Sequence, residues 1–308
     1  MITAAGGRRA EGRQGSGHAQ YGAGDCDTPI APDHPIMERI KRRLDCVPAL
    51  LGPARAIRLC GLPGPDDLEG ALRVEGLLSL LAAHRLRATA RQRWWAARRP
   101  EAVIWLGGGG LAALRGLAAS TAPASTVVIW PGPDAADRAW HMEIAALARP
   151  PWLTCRAVPG PPAVSGGPRQ LLLPDPAHAL WGLLDHHAPG GVGGTLDLAG
   201  KHGWRSGLEA PLSAGPRTWT RAARGLLAAA LPAGPAAGLG RRRLMERARR
   251  RLAGHEAVAT DRVAASVFAA LLGRRVLARG AEVAAYWRVW GGSGAPAAPL
   301  PEVEEQAA

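Results

Sequence analysis

One stretch near the C-terminus, residues 255–280, constrains the fold more than any other part of the sequence. It reads HEAVATDRVAASVFAALLGRRVLARG. The apolar run Ala257–Thr260 suits a buried parallel strand, and Val263–Leu272 suits a helix that Gly273 ends. A second strand, Arg275–Ala278, follows after a very short connection. The pattern therefore predicts a βαβ crossover in a parallel sheet.

The turn between this first strand and the helix carries residues suited to hold an anion. Thr260 and Asp261 are predicted to cap the helix, because their side-chain oxygens can accept hydrogen bonds from its first N–H groups. Arg262 follows in the first helical turn, at the carboxyl edge of the sheet, where the helix dipole favours negative charge. An arginine at this position predicts a clamp for a carboxylate or phosphate.

The rest of the chain repeats the alternation of strand and helix. With 308 residues, the chain is long enough for two cores, and we expect two Rossmann-like α/β lobes facing a cleft. The expected divisions are a mostly disordered leader at 1–48, an N-terminal α/β domain at 49–190, a C-terminal α/β domain at 191–292, and a disordered tail at 293–308.

Cysteine usage and hydropathy bear on where the protein works. The four cysteines contain no Cys-x-x-Cys pair, which argues against a zinc site or a disulfide framework. The sequence shows no signal peptide and no apolar run long enough to span a bilayer. We therefore expect a cytoplasmic protein, either soluble or attached peripherally at the inner membrane.

The chain is strongly basic, with a formal net charge of +13 and a pI near 11.1. Nucleic acid, anionic lipid headgroups and phosphorylated substrates are all attracted to such a surface. Within residues 241–252, Leu244, Ala248 and Leu252 recur at helical spacing with Met245 beside them, and the other face is almost wholly arginine. That face suits either anionic headgroups or plain solvation, and the sequence leaves both open.

Two further strand ends point to ligand contacts. The strand Ala56–Cys60 runs into a loop in which Asp66 or Asp67 can cap the next helix. The strand Ala102–Leu106 runs into four glycines, which permit close approach of a ligand to the backbone or simply form a tight turn. These glycines are Gly107, Gly108, Gly109 and Gly110. They lack the Gly-x-Gly-x-x-Gly spacing of dinucleotide-binding folds.

Two later strands carry further candidates. The strand Trp152–Val158 contains Arg156, which is either a binding group or one more surface arginine. The strand Gln170–Pro174 leads to Asp175 and Pro176, a sound helix start, with His178 close behind. Three adjacent residues, Asp185–His187, cannot all turn to one ion, so we predict no metal site.

Three segments resemble one known family. Thr-Asp-Arg-Val-Ala at 260–264 resembles the Thr-Asp-Arg-Leu-His turn of the polysaccharide pyruvyltransferase family. Val-Ile-Trp-Leu followed by four glycines, at 103–110, is similar to the glycine-rich turn of that family, and PDPAHALW at 174–181 is similar to its Pro-Asp-x-Ala-His-x-Leu motif. The resemblance spans about residues 56–290 and is firm only in three segments, at 102–110, 173–181 and 257–277.

This resemblance implies a fold like the two-domain GT-B glycosyltransferases and transfer of a pyruvyl group from phosphoenolpyruvate to sugar hydroxyls, forming a ketal. The acceptor would be an exopolysaccharide or its lipid-linked precursor, and no cofactor is expected. The residues implied as catalytic are Arg262, His178 and Asp261. Those implied as donor-binding are Arg156, Arg262, Thr260, Gly107, Gly108, Gly109 and Gly110. Those implied as substrate-binding are Asp67, Asp175 and Tyr286.

The sequence departs from the family at two positions. The histidine of the Thr-Asp-Arg turn falls on Ala264, and the Gly-Lys before the last helix falls on Ala281 and Glu282. Among the matching motifs, His178 is left as the acid–base residue, while His202 and His255 are unconstrained alternatives. A catalytically impaired or altered transferase of exopolysaccharide biosynthesis would explain both departures. A nucleic-acid-binding protein would explain the charge, but the basic residues are not interleaved with clustered aromatic residues.

Overall fold

The structure is a computed structural model, and it covers most of the region in which regular elements are expected. It describes residues 29–30, 34–54, 56–62, 64, 67–90, 102–107, 110–121, 125–130, 138–147, 152–159, 167–184, 193–199 and 235–291. The predicted disordered tail at 293–308 and His202 lie outside these residues.

The chain before the first large sheet is ordered over more residues than expected. It forms β1 (Pro29–Ile30), α1 (His34–Arg43), a short 3₁₀ turn (Leu44–Cys46) and α2 (Val47–Leu50). Met37 and Leu44 are both 0% exposed. The predicted disordered leader is therefore wrong for residues 34–48, because their apolar side chains belong to the core.

A six-stranded parallel sheet forms the first half of the fold. Its strands are β2 (Ala56–Cys60), β3 (Arg87–Ala90), β4 (Ala102–Trp105), β5 (Thr126–Ile129), β6 (Trp152–Arg156) and β7 (Arg169–Leu172). The spatial order is β3-β2-β4-β5-β6-β7. The central strands β4, β5 and β6 are rich in β-branched and aromatic residues, as expected for strands covered on both faces. β3 has exposed and half-buried residues in alternation, and the apolar pattern used for the other strands did not predict it.

Helices cover both faces of this sheet. They are α3 (Leu68–Ala83), α4 (Gly110–Ser120) and α5 (Arg138–Leu147). Successive strand residues point to opposite faces, so Ile104 of β4 packs in one apolar cluster with α3, and Trp105 packs in another with α4 and α5. α3 therefore lies on one face and the other two helices on the opposite face.

The second sheet contains the predicted βαβ unit. Its strands are β8 (Thr195–Asp197), β9 (Ala257–Thr260) and β10 (Arg275–Ala278), in the order β1-β10-β9-β8. β8, β9 and β10 are mutually parallel, and β1 is antiparallel to β10. The helices are α6 (Pro235–Ala253), α7 (Val263–Leu271) and α8 (Ala281–Trp290). The crossover β9–α7–β10 is confirmed, and Gly273 follows α7 with a φ of +66°, a left-handed conformation that glycine adopts without strain.

One apolar core joins elements of the two sheets. It contains Leu72 of α3, Phe268 of α7 and Leu244 of α6, together with the 3₁₀ turn Pro176–Leu180 that follows β7. Gly76 lets α3 approach this turn closely, because a Cβ at Gly76 would lie 2.2 Å from the carbonyl oxygen of Pro176. The α/β class is confirmed. The arrangement of two lobes about a cleft, as in GT-B enzymes, stays a prediction.

No helix among the described residues is long and apolar enough to cross a bilayer.

Candidate functional site

The turn after β9 begins the helix in a different way from the one predicted. The hydroxyl of Thr260 accepts a hydrogen bond from the N–H of Arg262, at 3.1 Å, and Arg262 itself is the N-cap residue of α7. The side chain of Arg262 makes no cap hydrogen bond, and the Thr260 hydroxyl binds the N–H one residue before the helix, so Thr260 does not cap the first helical N–H groups as predicted. A cap by Asp261 stays a prediction. Arg262 lies beside the positive end of the helix dipole, a position that favours anions.

The guanidinium of Arg262 faces α3 of the first half of the fold. Its Nη1 atom lies 3.8 Å from Oε2 of Glu69, and 37% of the arginine side chain is exposed. Glu69 is held more closely by Arg73, one helical turn further along α3, at 2.6 Å. The shorter of the two contacts with Glu69 is therefore the one made by Arg73.

Arg73 also makes the most buried ion pair of this group. Its Nε atom donates to Oδ2 of Asp175 at 2.9 Å, and the Asp175 side chain is only 1% exposed. Burial alone would lower the pKa of Arg73, but the carboxylates of Glu69 and Asp175 raise it above its usual value. Charges therefore alternate along a chain of contacts running from Arg262 through Glu69 and Arg73 to Asp175.

Asp175 fixes the short 3₁₀ turn that follows β7. Its Oδ1 atom accepts from the N–H of Ala177 at 2.9 Å, and Pro176 occupies the first position of the turn. The predicted helix start is confirmed as a capped start, although the element is a 3₁₀ turn. The N–H of Asp175 donates to the hydroxyl of Tyr286 on α8, at 3.1 Å. Asp175 thus links the first half of the fold to the last helix.

His178 lies inside the core, not on an open surface. It is 0% exposed, its Nε2 atom lies 2.8 Å from the Tyr286 hydroxyl, and its ring meets Trp287 edge-on at 6.0 Å. Burial lowers the pKa of His178 to about 3, so the imidazole is neutral near pH 7. His178 follows the carboxyl end of β7, as predicted. Its complete burial contradicts the prediction that it lies beside an open cleft.

The burial of His178 predicts a specific dependence of stability on pH. The unfolded chain takes up this proton near pH 6.5 and the folded chain does so only near pH 3, so stability is full above about 6.5 and falls below it. The loss from this residue should approach about 1.4 kcal/mol per pH unit. Denaturant unfolding between pH 7 and pH 4.5 measures it, and His178→Gln should flatten the slope. Equal slopes in the two proteins would contradict the burial of a neutral imidazole.

Tyr286, a predicted substrate-binding residue, is also enclosed. It is 0% exposed, and burial, together with the nearby Asp175 carboxylate, raises its pKa well above 10. On the same helix, Trp287 donates from Nε1 to the hydroxyl of Ser266 in α7, at 2.9 Å. These contacts hold α8 against α7 and the 3₁₀ turn.

The two departures from the family pattern occupy different surroundings. Ala264, at the position of the family's histidine, is 0% exposed in the first turn of α7. Glu282, at the position of the family's lysine, is exposed in the first turn of α8. A histidine side chain at position 264 would need space that the packed core does not provide. An Ala264→His variant would therefore change the packing as well as the chemistry of this turn.

The glycine-rich turn after β4 lies at the carboxyl edge of the first sheet. Gly107 has a φ of +86° and Gly110, the first residue of α4, a φ of +62°. Gly108 and Gly109 lie outside the described residues. β2 and β4 are neighbours in the sheet although β3 lies between them in the sequence, so the strand order reverses at this point. Ligands of α/β folds commonly bind at the carboxyl ends of the strands where the order reverses. The glycines are therefore suitably placed, but no ligand contact follows from their conformation alone.

Arg156 does not join Arg262. It is the last residue of β6 and is 8% exposed. Its neighbour Cys155 packs in the cluster under α3, so Arg156 points to the opposite face, where it lines a pocket with His141 of α5. The contacts of Arg262 lie on the α3 side. The expected pair of arginines on one donor is therefore not brought together.

Asp67 is confirmed as the N-cap of α3, where its Oδ1 atom accepts from the N–H of Gly70 at 3.0 Å. His255 precedes β9 and lies at the amino edge of the second sheet, opposite the edge of Arg262. It is therefore too far along the strand to act with that arginine.

Sequence reasoning missed Glu69 and Arg73, which connect Arg262 to Asp175. Their spacing of four residues in the first two turns of a predicted helix is typical of a helical ion pair. That spacing was visible in the sequence, but it did not show that two distant segments supply the other two charges.

No metal site is found in the described part of the chain. It contains no group of three or more His, Cys, Asp or Glu side chains that could hold an ion. Asp185–His187 lies outside the described residues.

Comparisons with known proteins define the fold alone. No protein family matches this sequence, and no curated protein is similar to it. A solved structure of a functionally uncharacterized protein from Klebsiella pneumoniae is similar, with a TM-score of 0.53 and 12% sequence identity over 83% of this chain and 96% of that one. The α/β architecture thus occurs in a second protein whose function is also open.

Proposed function

We propose that the protein binds phosphoenolpyruvate and transfers its pyruvyl group to sugar hydroxyls of an exopolysaccharide or its lipid-linked precursor. The observation that carries the proposal is the position of Arg262, a half-buried cation at the start of α7. The donor carries a carboxylate and a phosphate, both of which suit this position. The three segments that resemble pyruvyltransferases supply the choice of donor.

Residues of both halves meet near this position, in keeping with a GT-B-like arrangement. Arg262 follows a strand of the second sheet, whereas Glu69 and Asp175 follow strands of the first sheet, and each half thus contributes from its carboxyl edge. In this proposal Glu69 orients Arg262, and the donor anion binds the exposed part of the guanidinium. Positioning and charge neutralisation then supply the main part of the catalysis.

The reaction also needs proton transfer. Two acceptor hydroxyls add to C2 of the donor, and the C2–O bond to phosphate breaks. One of the two hydroxyl protons reaches the methylene carbon, which becomes a methyl group, and the other leaves with the phosphate. The acid–base residue is unassigned, because Ala264 replaces the family's histidine and His178 is buried and neutral. Incubation with phosphoenolpyruvate and lipid-linked oligosaccharides, with phosphate release as the readout, tests the proposal.

Ala264 and the buried His178 also favour a second candidate, a protein that keeps the donor site but has lost most of its catalytic activity. General acid–base catalysis contributes on the order of 10²–10⁴-fold. This candidate therefore predicts donor binding with very slow phosphate release. The two candidates share the role of Arg262 and differ only in turnover.

The surface of α6 supports peripheral attachment of a cytoplasmic protein to an anionic membrane. The predicted amphipathic pattern is confirmed, since Leu244, Ala248 and Leu252 are buried. On the outer side, Arg250 is 76% and Leu239 56% exposed, and Arg243 and Arg247 are also exposed. An exposed leucine in line with arginines suits a lipid interface, where headgroups meet acyl chains, better than nucleic acid.

Vesicle sedimentation tests this attachment. Replacing both Arg243 and Arg247 with Gln should weaken binding to phosphatidylserine vesicles by about 1 kcal/mol per arginine, and added salt should weaken the wild type. Replacing Arg85 and Arg87, two exposed arginines on the first half of the fold, should have little effect. Equal losses in the two double variants, or binding that salt does not weaken, would exclude a role for the α6 surface.

A further inference from the structure

Glu69 places a fixed negative charge beside the proposed donor site. Its Oε2 atom lies 3.8 Å from Nη1 of Arg262, which is too long for a hydrogen bond but close enough for the two charges to interact. Glu69 lies in the first turn of α3, and its side chain is 25% exposed. An anion that binds the exposed part of the Arg262 guanidinium therefore lies close to a carboxylate of like charge.

Arg73 does not cancel this negative charge, because it is shared between two carboxylates. Its Nη2 atom lies 2.6 Å from Oε1 of Glu69, and its Nε atom lies 2.9 Å from Oδ2 of the buried Asp175. The neighbouring Asp67 also responds to Glu69. Burial raises the pKa of Asp67 most, the hydrogen bond from Gly70 lowers it, and the charge of Glu69 raises it again. The negative charge of Glu69 thus acts on the groups around it.

A carboxylate beside an arginine changes which anions bind best. Attraction to the arginine grows in proportion to the charge of the ligand, whereas the cost of taking the ligand out of water grows with the square of its charge. Because Glu69 weakens the attraction, the cost of dehydration counts for more, and a doubly charged group loses more than a singly charged one. Phosphoenolpyruvate carries one group of each kind, a carboxylate with one negative charge and a phosphate with close to two.

We propose that Glu69 determines which end of the donor binds Arg262: the carboxylate lies on the guanidinium, and the phosphate lies away from Glu69. Glu69 is thus a specificity-determining residue, and Arg73 holds it in place. The inference rests on the proposed function, because it assigns one end of the same donor to Arg262. It also predicts that the site prefers singly charged anions to doubly charged ones.

Acetate and sulfate test this preference without the donor. They carry one and two negative charges near neutral pH, and the backbone amide signals of Val263 and Ala264, at the start of α7, report their binding in NMR titrations of the full-length protein at low ionic strength. The wild type should bind acetate more tightly than sulfate, and Arg262→Gln should abolish the saturable shifts with both. Tighter binding of sulfate by the wild type, or no saturable shift with either anion, would overturn the proposal.

A substitution at Glu69 measures its effect directly. Glu69→Gln removes the charge and keeps the length of the side chain. It should strengthen acetate binding roughly fivefold and sulfate binding roughly twenty-fivefold, the effect of one unit charge a few ångströms away in water on ligands with one and two charges. Other fixed charges near the site are the same in both proteins and cancel in this comparison. An equal gain for the two anions, or no gain, would overturn the proposal.

Glu75 provides a matched control for this substitution. It lies on the same helix and also pairs with an arginine, Arg241, at 2.9 Å. Glu75→Gln should therefore change the affinities for acetate and sulfate far less than Glu69→Gln does. Equal gains in the two variants would show that the effect belongs to the overall charge of the protein and would refute the role of Glu69.

The donor itself separates this inference from the proposed function. If Arg262→Ala leaves phosphoenolpyruvate binding unchanged, the proposed function fails, and the titrations with acetate and sulfate still decide the preference of the site. If Arg262→Ala loses the donor but Glu69→Gln does not shift the preference towards sulfate, the proposed function stands and the role of Glu69 is refuted.

Discussion

Arg262→Ala is expected to weaken phosphoenolpyruvate binding by roughly tenfold to a hundredfold, since a hydrogen bond to a charged group contributes about 1.5–3 kcal/mol. The physical reason is the loss of a cation at a helix start that is partly open to solvent. Isothermal titration calorimetry of the two proteins measures the change.

Arg275 provides a matched control for this measurement. It is also an exposed arginine of the second sheet and pairs with Glu256 at 3.2 Å, but it lies at the amino end of β10. Arg275→Ala should leave the affinity for phosphoenolpyruvate unchanged. An Arg262→Ala protein that binds as tightly as the wild type, or an equal loss in both variants, would show that the donor lies elsewhere.

Asp175→Ala is expected to cost about 3–5 kcal/mol of unfolding free energy, the usual cost of breaking a buried ion pair by removing one partner. The variant leaves Arg73 with Glu69 alone in a site where the Asp175 side chain is 1% exposed. It also removes the acceptor for the N–H of Ala177. Urea unfolding monitored by circular dichroism gives the value.

The contribution of that local hydrogen bond can be subtracted with a second variant. Asp197 accepts from the N–H of Ala199 at 2.9 Å, the same two-residue spacing, but at an exposed position without an arginine. Asp197→Ala should therefore cost far less than Asp175→Ala, and the difference reports the pair with Arg73. Similar losses in the two variants would mean that the buried ion pair adds little to stability.

Local patterns predicted the elements of the fold well where apolar residues recur at a clear period. The β9–α7–β10 crossover, the cap at Asp67 and the amphipathic surface of α6 were all visible in the sequence. Strands that are short or lack an apolar pattern, such as β3 and β8, were not predicted. A short helix around Met37–Leu44 was predicted within the leader, but its burial was not, because Met37 and Ile40 pack against residues distant in sequence.

The site was harder to predict than the fold, because its contacts join segments far apart in the chain. Sequence position placed Arg262, Asp175 and His178 after strands, and the structure agrees. Position could not show that His178 faces inward, since that depends on Tyr286, which lies 108 residues further on. Nor could it show that Arg156 points away from Arg262, because the direction follows from which face of β6 is covered by α3.

The most direct test of the proposed transferase is a coupled measurement of phosphate release and ketal formation. Purified protein is incubated with phosphoenolpyruvate and a panel of lipid-linked oligosaccharides, with Arg262→Ala as the inactive reference. We predict one phosphate released for each pyruvyl ketal formed, only with a suitable acceptor, and no product from the variant. Tight donor binding without release would favour the impaired transferase. If the protein does not bind phosphoenolpyruvate and releases no phosphate with any acceptor, the account is contradicted.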